Sequence, residues 1–224
     1  MYRLRLPLMI INTKSYKEAL LPDGLLLGRI AEQVAEELGI NIVLAVQPTD
    51  IYVLSSRLNI PIIAQHFDPV ESRATGSISG LAIKQAGARG SLINHSEKRL
   101  ALNSIEKRIK YANLLGIDSI VCASSLEEAK KIARLDPSMI AIEPPELIAG
   151  NISVSSARPE LLIGVVDSVK KINHNIPVLC GAGIKTGRDV ARARDLGVKG
   201  ILVSSGIVLA RDWDKAIREL ASNL

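Results

Sequence analysis

Eight short apolar runs, spread along the whole chain and separated by amphipathic stretches, restrict what this sequence can fold into. The runs are LPLMII (6–11), NIVLAV (41–46), IPIIAQ (60–65), GSLIN (90–94), SIVCA (119–123), MIAIE (139–143), IPVLC (176–180) and GILVS (200–204). They are rich in Ile, Val and Leu and mostly do not alternate with polar residues. Continuous apolarity suits strands covered on both faces, and so a parallel sheet. Between the runs lie helix-like segments. Residues 22–38 carry Pro22 near the start and Gly39 past the end, and their spacing predicts one apolar face of Leu26, Ile30, Val34 and Leu38. Residues 103–115 open with Asn103 and Ser104, align Ile105, Ile109, Ala112 and Leu115, and stop at Gly116. Segments 125–135, 159–172, 187–196 and 212–222 behave similarly, while those near 48–58 and 78–86 are shorter.

Strand and helix alternate from end to end, which predicts an α/β fold. Eight such units predict a closed (β/α)₈ barrel, because open doubly wound sheets usually stop at about five or six strands. No linker or internal repeat divides residues 1–224, so a single domain is expected. At 224 residues it is a compact barrel, ~250 being typical. Aromatic residues make up 3% against 47% apolar, so Ile, Leu, Val and Ala must build the core.

The net charge of +5 fits a small anionic substrate, but Lys and Arg are scattered, which argues against nucleic-acid binding. Cys122 and Cys180 each end an apolar run and read as buried free thiols of a reducing compartment; no metal-ligand spacing surrounds them. No apolar stretch approaches the ~18 residues of a membrane span, and the N-terminal run is too short for a signal peptide. A cytoplasmic protein without metal or membrane partner is therefore expected.

In barrels of this kind, reactive groups stand where strands end. After the first run come Asn12, Thr13 and Lys14, and after the third Gln65 and His66. The fourth is followed by Asn94, His95, Ser96 and Glu97, and the sixth ends in Glu143 before Pro144 and Pro145. Gly181-Ala182-Gly183 and Ser204-Ser205-Gly206 follow the last two. A lysine, a histidine and a glutamate thus face one mouth from three strands. Two small-residue loops, the second leading into a short helix from Ser205 to Leu209, stand where barrels often hold phosphate. Each residue alone has a plain structural reading; their meeting at one rim favours the functional one.

The motifs extend this. NHSEKR (94–99) resembles the G-H-S-E-R-R signature of triosephosphate isomerases, and IAIEPPELI (140–148) is similar to their strand-six motif, in which a glutamate precedes a mobile lid. NTK (12–14), AQHFDP (64–69) with Thr75-Gly76, CGAGI (180–184) and LVSSG (202–206) also resemble that family, the last two in its archaeal form. The likeness runs from near residue 10 to near residue 210.

The resemblance implies interconversion of dihydroxyacetone phosphate and D-glyceraldehyde 3-phosphate through an enediolate, in glycolysis and gluconeogenesis, with no cofactor. It gives Glu143 the role of base, and neutral His95 that of electrophile and proton shuttle. Lys14 would neutralise phosphate and enediolate charge, Asn12 would bind substrate, and Glu97 would stand behind them near Lys14. Backbone amides at Ile148 or Ala149, Gly183, Ser204 and Ser205 would hold the phosphate, and segment 144–153 would close as a lid. It also implies a homo-oligomer, with a tetramer favoured over a dimer. The family's I-G-T-G lid hinge is here Ile148-Ala149-Gly150-Asn151, and Ser77 stands where many relatives carry Glu. Two alternatives are another phosphate-binding barrel enzyme, such as a sugar-phosphate epimerase or indole-glycerol-phosphate synthase, and a barrel that binds phosphorylated ligands without turnover. For an epimerase, His66, His95 and His174 give no convincing metal set.

Overall fold

The computed structural model describes residues 4–144, 155 and 158–224. Eight parallel strands close into one barrel in chain order: β1 (Leu8–Asn12), β2 (Asn41–Val46), β3 (Ile62–Ala64), β4 (Gly90–Ile93), β5 (Asp118–Ala123), β6 (Met139–Ile142), β7 (Val178–Cys180) and β8 (Gly200–Val203). Closure is the pairing of β1 with β8, in which Leu8 lies opposite Gly200. The helices are α1 (Asp23–Leu38), α2 (Ile51–Arg57), α3 (Gly80–Gln85), α4 (Leu102–Leu115), α5 (Leu126–Ala133), α6 (Pro159–Ile172), α7 (Gly187–Asp195), α8 (Ser205–Val208) and α9 (Trp213–Ala221). The expected (β/α)₈ architecture is the one found, with most strands a residue or two shorter than their apolar runs.

Two apolar layers account for the unbroken hydrophobicity of the strands. Successive side chains leave a strand on opposite faces. Leu8 and Ile10 of β1, Val43 and Ala45 of β2, Leu92 of β4, and Met139 and Ala141 of β6 fill the barrel interior. Met9, Ile11, Ile42, Leu44, Ile93, Ile140 and Ile142 face outward and meet the helices. Neither face meets water, so both are mostly apolar until the strands end; the buried exceptions within the strands include Ser91 of β4 and Asp118 and Ser119 of β5.

One helix face differs from the expectation. The buried side of α1 is Leu27, Ala31, Val34 and Ala35, whereas Leu26 is 57% exposed and Leu38 38%. A strict four-residue repeat advances about 40° further round the helix at each step, so a line of four such positions sweeps about a third of the circumference. Only its middle meets the core: Val34 is fully buried and Ile30 packs against the core partly buried. The face predicted for α4, in contrast, is the buried one: Ile105, Ile109, Ala112 and Leu115. That helix begins at Leu102, ahead of Asn103 and Ser104, and has no side-chain cap. Both α1 and α4 end on a left-handed glycine, Gly39 at φ 65° and Gly116 at φ 69°, as the sequence implies.

Candidate active site

The strand alternation that builds the interior also aims the residues above it. Continuing β1 past Ile10 puts Asn12 over the barrel mouth; continuing β6 past Ala141 does the same for Glu143, β7 past Leu179 for Gly181, and β8 past Leu202 for Ser204. All four line one cavity of about 580 Å³, together with Lys14, His95 and Gly183. A second cavity shares the wall formed by Asn12, Lys14 and His95, and reaches Gln47, Gln65 and His66.

Glu143 is only 6% exposed. Its backbone N–H donates to Ala123 O at 2.8 Å, which ties it to the top of β5. Oε1 stands 3.6 Å from His95 Nε2. The Cys122 thiol lies beside the carboxyl group, and among the described residues Oε2 has no hydrogen-bond partner of ordinary geometry. Burial with so few donors penalises the charged form and raises the Glu143 pKa to about 7. Burial, followed by the Glu143 charge, pushes the Cys122 thiol well above its usual value, so it stays protonated. Both cysteines are buried free thiols, as expected from sequence.

Gly181 makes room for this carboxylate. A Cβ there would stand 2.6 Å from Glu143 Cγ, well inside van der Waals contact. Gly181→Ala should therefore push Glu143 out of position and lower kcat by ~10-fold or more, since ångström-scale misplacement of a reacting group costs that much. Steady-state kinetics of the folded variant would check this, and an unchanged kcat would refute it.

His95 is held by the loop that follows it. The Glu97 backbone N–H donates to His95 Nδ1 at 3.2 Å. A nitrogen that accepts carries no proton, so the neutral ring bears its hydrogen on Nε2, toward the cavity and Glu143. The Glu97 carboxylate is 3.7 Å from Nδ1, beyond hydrogen-bond range. Burial, then the charge of Lys14, lowers the His95 pKa and favours this neutral ring. Asn12 Nδ2 approaches Nε2 at 3.5 Å, and its Oδ1 accepts from the Lys14 backbone N–H at 3.0 Å.

Lys14 has a left-handed backbone, φ 49°, which lysine rarely adopts. Two glutamines secure it: Gln47 Nε2 and Gln65 Nε2 donate to the Lys14 carbonyl at 2.8 and 2.9 Å. Gln47 also donates to Gln65 Oε1 at 3.0 Å. Lys14 Nζ then donates to Glu97 Oε1 at 2.8 Å, so Glu97 lies beside Lys14, where the resemblance puts it. Sequence reasoning missed Gln47, although counting inward positions along β2 (Val43, Ala45, 47) would have found it.

On the opposite wall stand Gly183, at φ 70°, and the Ser204-Ser205-Gly206 turn that starts α8. The first amides of a helix have no partner within it. Ser204 Oγ is buried without a hydrogen-bond partner among the described residues, as is Ser96 Oγ. Ile148 and Ala149, expected to supply further amides, lie outside the described residues, as do the hinge residues Gly150 and Asn151 and all of the expected lid except its first residue, Pro144. Among the described residues, no group of three or more His, Cys, Asp or Glu side chains could hold a metal ion. No helix among them is long and apolar enough to cross a membrane.

Comparison with known proteins identifies the family. The family model described as triosephosphate isomerase matches residues 7–220. A triosephosphate isomerase of Methanothermus fervidus is 44% identical over 219 residues, covering 97% of this chain and 99% of that protein. One from Methanocaldococcus jannaschii is 47% identical over 214 residues, covering 95% and 98%. The crystal structure of triosephosphate isomerase from Bartonella henselae superposes with a TM-score of 0.71 at 19% identity, over 88% of this chain and 92% of that one, a likeness of fold.

Proposed function

Since the chain belongs to the triosephosphate isomerase family, and is an isomerase of dihydroxyacetone phosphate and D-glyceraldehyde 3-phosphate, we propose that Glu143, His95 and Lys14 carry that glycolytic reaction. The observation that supports this most is the desolvated Glu143 carboxyl, 3.6 Å from His95 Nε2, in a cavity that Lys14 also lines. A base that takes a proton from carbon is strongest when water is kept from it. In this reading the Glu143 carboxylate removes the proton from the carbon beside the carbonyl. His95 Nε2–H donates a hydrogen bond to the carbonyl oxygen as negative charge grows there, and then moves the proton between the two oxygens. Glu143 returns its proton to the neighbouring carbon, so atoms and charge balance with no cofactor. Asn12 orients the oxygens, and Lys14 offsets the charge of phosphate and enediolate. Gly183, Ser204, Ser205 and the amides of Ile148 and Ala149 receive the phosphate, and segment 144–153 covers it.

A coupled assay with D-glyceraldehyde 3-phosphate tests the assignment, and substrate binding without turnover would favour a non-catalytic barrel. The pH profile is a sharper check. The Glu143 pKa is raised from 4.5 to about 7, and the base works ionised, so kcat/KM should climb through about pH 7 and then level off. The Glu143 carboxyl carbon should titrate at the same pH by NMR of the ligand-free protein, which separates it from the substrate phosphate, whose own second ionisation lies near ~6. A Glu143 midpoint left at 4.5 would refute the burial argument.

Self-association, with four copies favoured over two, fits the apolar Leu102 and Leu114 exposed on α4, the latter at 75%. Work in the cytoplasm fits the two unpaired buried thiols.

A further inference from the structure

We propose that Asn94, anchored to Glu128 of α5, is the positioning residue that turns His95 into the active-site mouth. The inference rests on the reading of His95 and Glu143 as the reacting pair, and it begins with an anomaly of alternation. On β4, Leu92 points into the barrel and Ile93 outward toward the helices. Continued regularly, the strand would aim residue 94 inward and residue 95 outward, away from the cavity. The reverse is found: His95 lines the mouth. The cause is the backbone of Asn94, at φ 62° in the left-handed region, which breaks the alternation just before the histidine.

The family signature carries glycine here, which adopts such an angle without strain. Asparagine is the next most tolerant residue, and its side chain is bonded on every side. Asn94 is 1% exposed. Nδ2 donates to Cys122 O at 2.9 Å and to Glu128 Oε1 at 3.1 Å, and Oδ1 accepts from the Leu100 backbone N–H at 2.8 Å. The Asn94 carbonyl accepts from Arg99 Nη1 at 3.2 Å. Both amide hydrogens are thereby used, and the amide oxygen accepts one hydrogen bond.

These partners reach the other half of the reacting pair. Where β1, β6 and β7 end, the next backbone N–H carries the ladder on: Thr13 to Ala45 O, Glu143 to Ala123 O, and Gly181 to Ile142 O, all at 2.8 to 3.0 Å. At β4 the Asn94 side chain bonds to the top of β5, at Cys122, whose thiol lies against Glu143. Glu128 is fixed in turn. Its Oε2 accepts from Ser124 N and Ser124 Oγ, both at 2.7 Å, and its Oε1 also accepts from Arg99. One amide thus sets the direction of the electrophile and ties it to the strand beside the base.

The test is Asn94→Gly, which keeps the left-handed angle and removes every side-chain bond. The expected result is a folded protein with kcat lowered by ~10- to 100-fold and KM within ~3-fold of the unaltered value, the signature of lost alignment. A ¹⁵N-histidine spectrum of the ligand-free variant should show His95, assigned by its loss in His95→Gln, no longer held in one tautomer. A purely structural role would lower the unfolding temperature and leave both the kcat-to-KM split and the tautomer unchanged. Asn94→Asp is the second variant. It keeps the shape and the angle but sets an oxygen against Glu128 Oε1 and Cys122 O, and should lose at least as much kcat. A kcat within ~2-fold of the unaltered enzyme in whichever of the two folds, with the tautomer intact, overturns the proposal, as misalignment by an ångström cannot cost so little. His95→Gln and Glu143→Asp, measured alongside, separate the two levels. Full turnover in them would sink the reading of the pair itself, whereas collapse in them beside an active Asn94→Gly would sink this inference alone.

Discussion

Shortening Glu143 to aspartate is expected to lower kcat by ~10²- to 10³-fold while KM changes little. The loss comes from reach. One methylene withdraws the carboxylate by about the distance that decides whether a base meets a carbon-bound proton. In the proposed reading, substrate affinity comes largely from the wall of Gly183, Ser204 and Ser205, which lines the same cavity and which the substitution does not touch. A kcat unaltered in Glu143→Asp would remove this residue from the chemistry. Glu143→Gln adds a test that needs no substrate. The folded-state pKa of about 7 lies above the ordinary 4.5, so the folded protein holds a proton that the unfolded chain releases between those values. The stability linked to that proton is fully present below pH 4.5 and is lost as pH rises through 7, by an amount on the order of 3 kcal/mol for a group this buried. The glutamine variant should accordingly be more stable than the parent at pH 8, and the difference should fade toward pH 4. Parallel denaturation curves at the two pH values would measure it, and a glutamine variant that is less stable at pH 8 would contradict a desolvated carboxylate.

How much of this was legible in the sequence follows from where alternation holds. The eight runs stood out because strands buried on both faces must be apolar throughout. Asn12, Glu143, Gly181 and Ser204 follow from counting inward positions two by two from Ile10, Ala141, Leu179 and Leu202. His95 does not, since the count breaks at the left-handed Asn94; its place just past a strand end and the motif resemblance single it out, where inward counting alone would miss it. Lys14 falls on the inward count from Ile10, two past Asn12, although its own backbone turns left-handed there. The clamp of Gln47 and Gln65 on the Lys14 carbonyl joins three strands, and no local pattern announces a contact of that kind. The need for Gly181 is equally hidden, because it comes from a glutamate on the neighbouring strand. On α1, an exact four-residue spacing drifts round the helix, so Leu26 and Leu38, which it groups with Val34 on one face, lie at the exposed margins.

Replacing Lys14 by methionine should cut kcat/KM by ~10³-fold or more, and unlike the Glu143 variants it should raise KM as well as lower kcat. In the proposed reading the cavity accepts a phosphorylated substrate next to the Glu143 carboxylate, with Glu97 behind Lys14, and the reaction adds a further negative charge at the enediolate. A single cation about 4 Å away contributes roughly 4 kcal/mol at the effective dielectric of ~20 that suits partly exposed sites, or about three orders of magnitude. The phosphate is present in ground and transition states, so part of the loss falls on KM; the enediolate charge exists only late in the reaction, so the rest falls on kcat. Methionine keeps the length and apolar stem of the side chain, and the two glutamines still hold the residue 14 carbonyl, so the backbone should survive. Removing the ammonium also leaves Glu97, now 2.8 Å from Lys14 Nζ, as an uncompensated anion close behind the substrate cavity. Part of the penalty therefore belongs to Glu97. The double variant with Glu97→Gln should recover some of the lost kcat/KM, whereas independent contributions would simply multiply. A Lys14→Met enzyme within ~10-fold of the parent would mean that the anionic substrate and enediolate are balanced elsewhere, because a cation at that range cannot be worth so little in this setting.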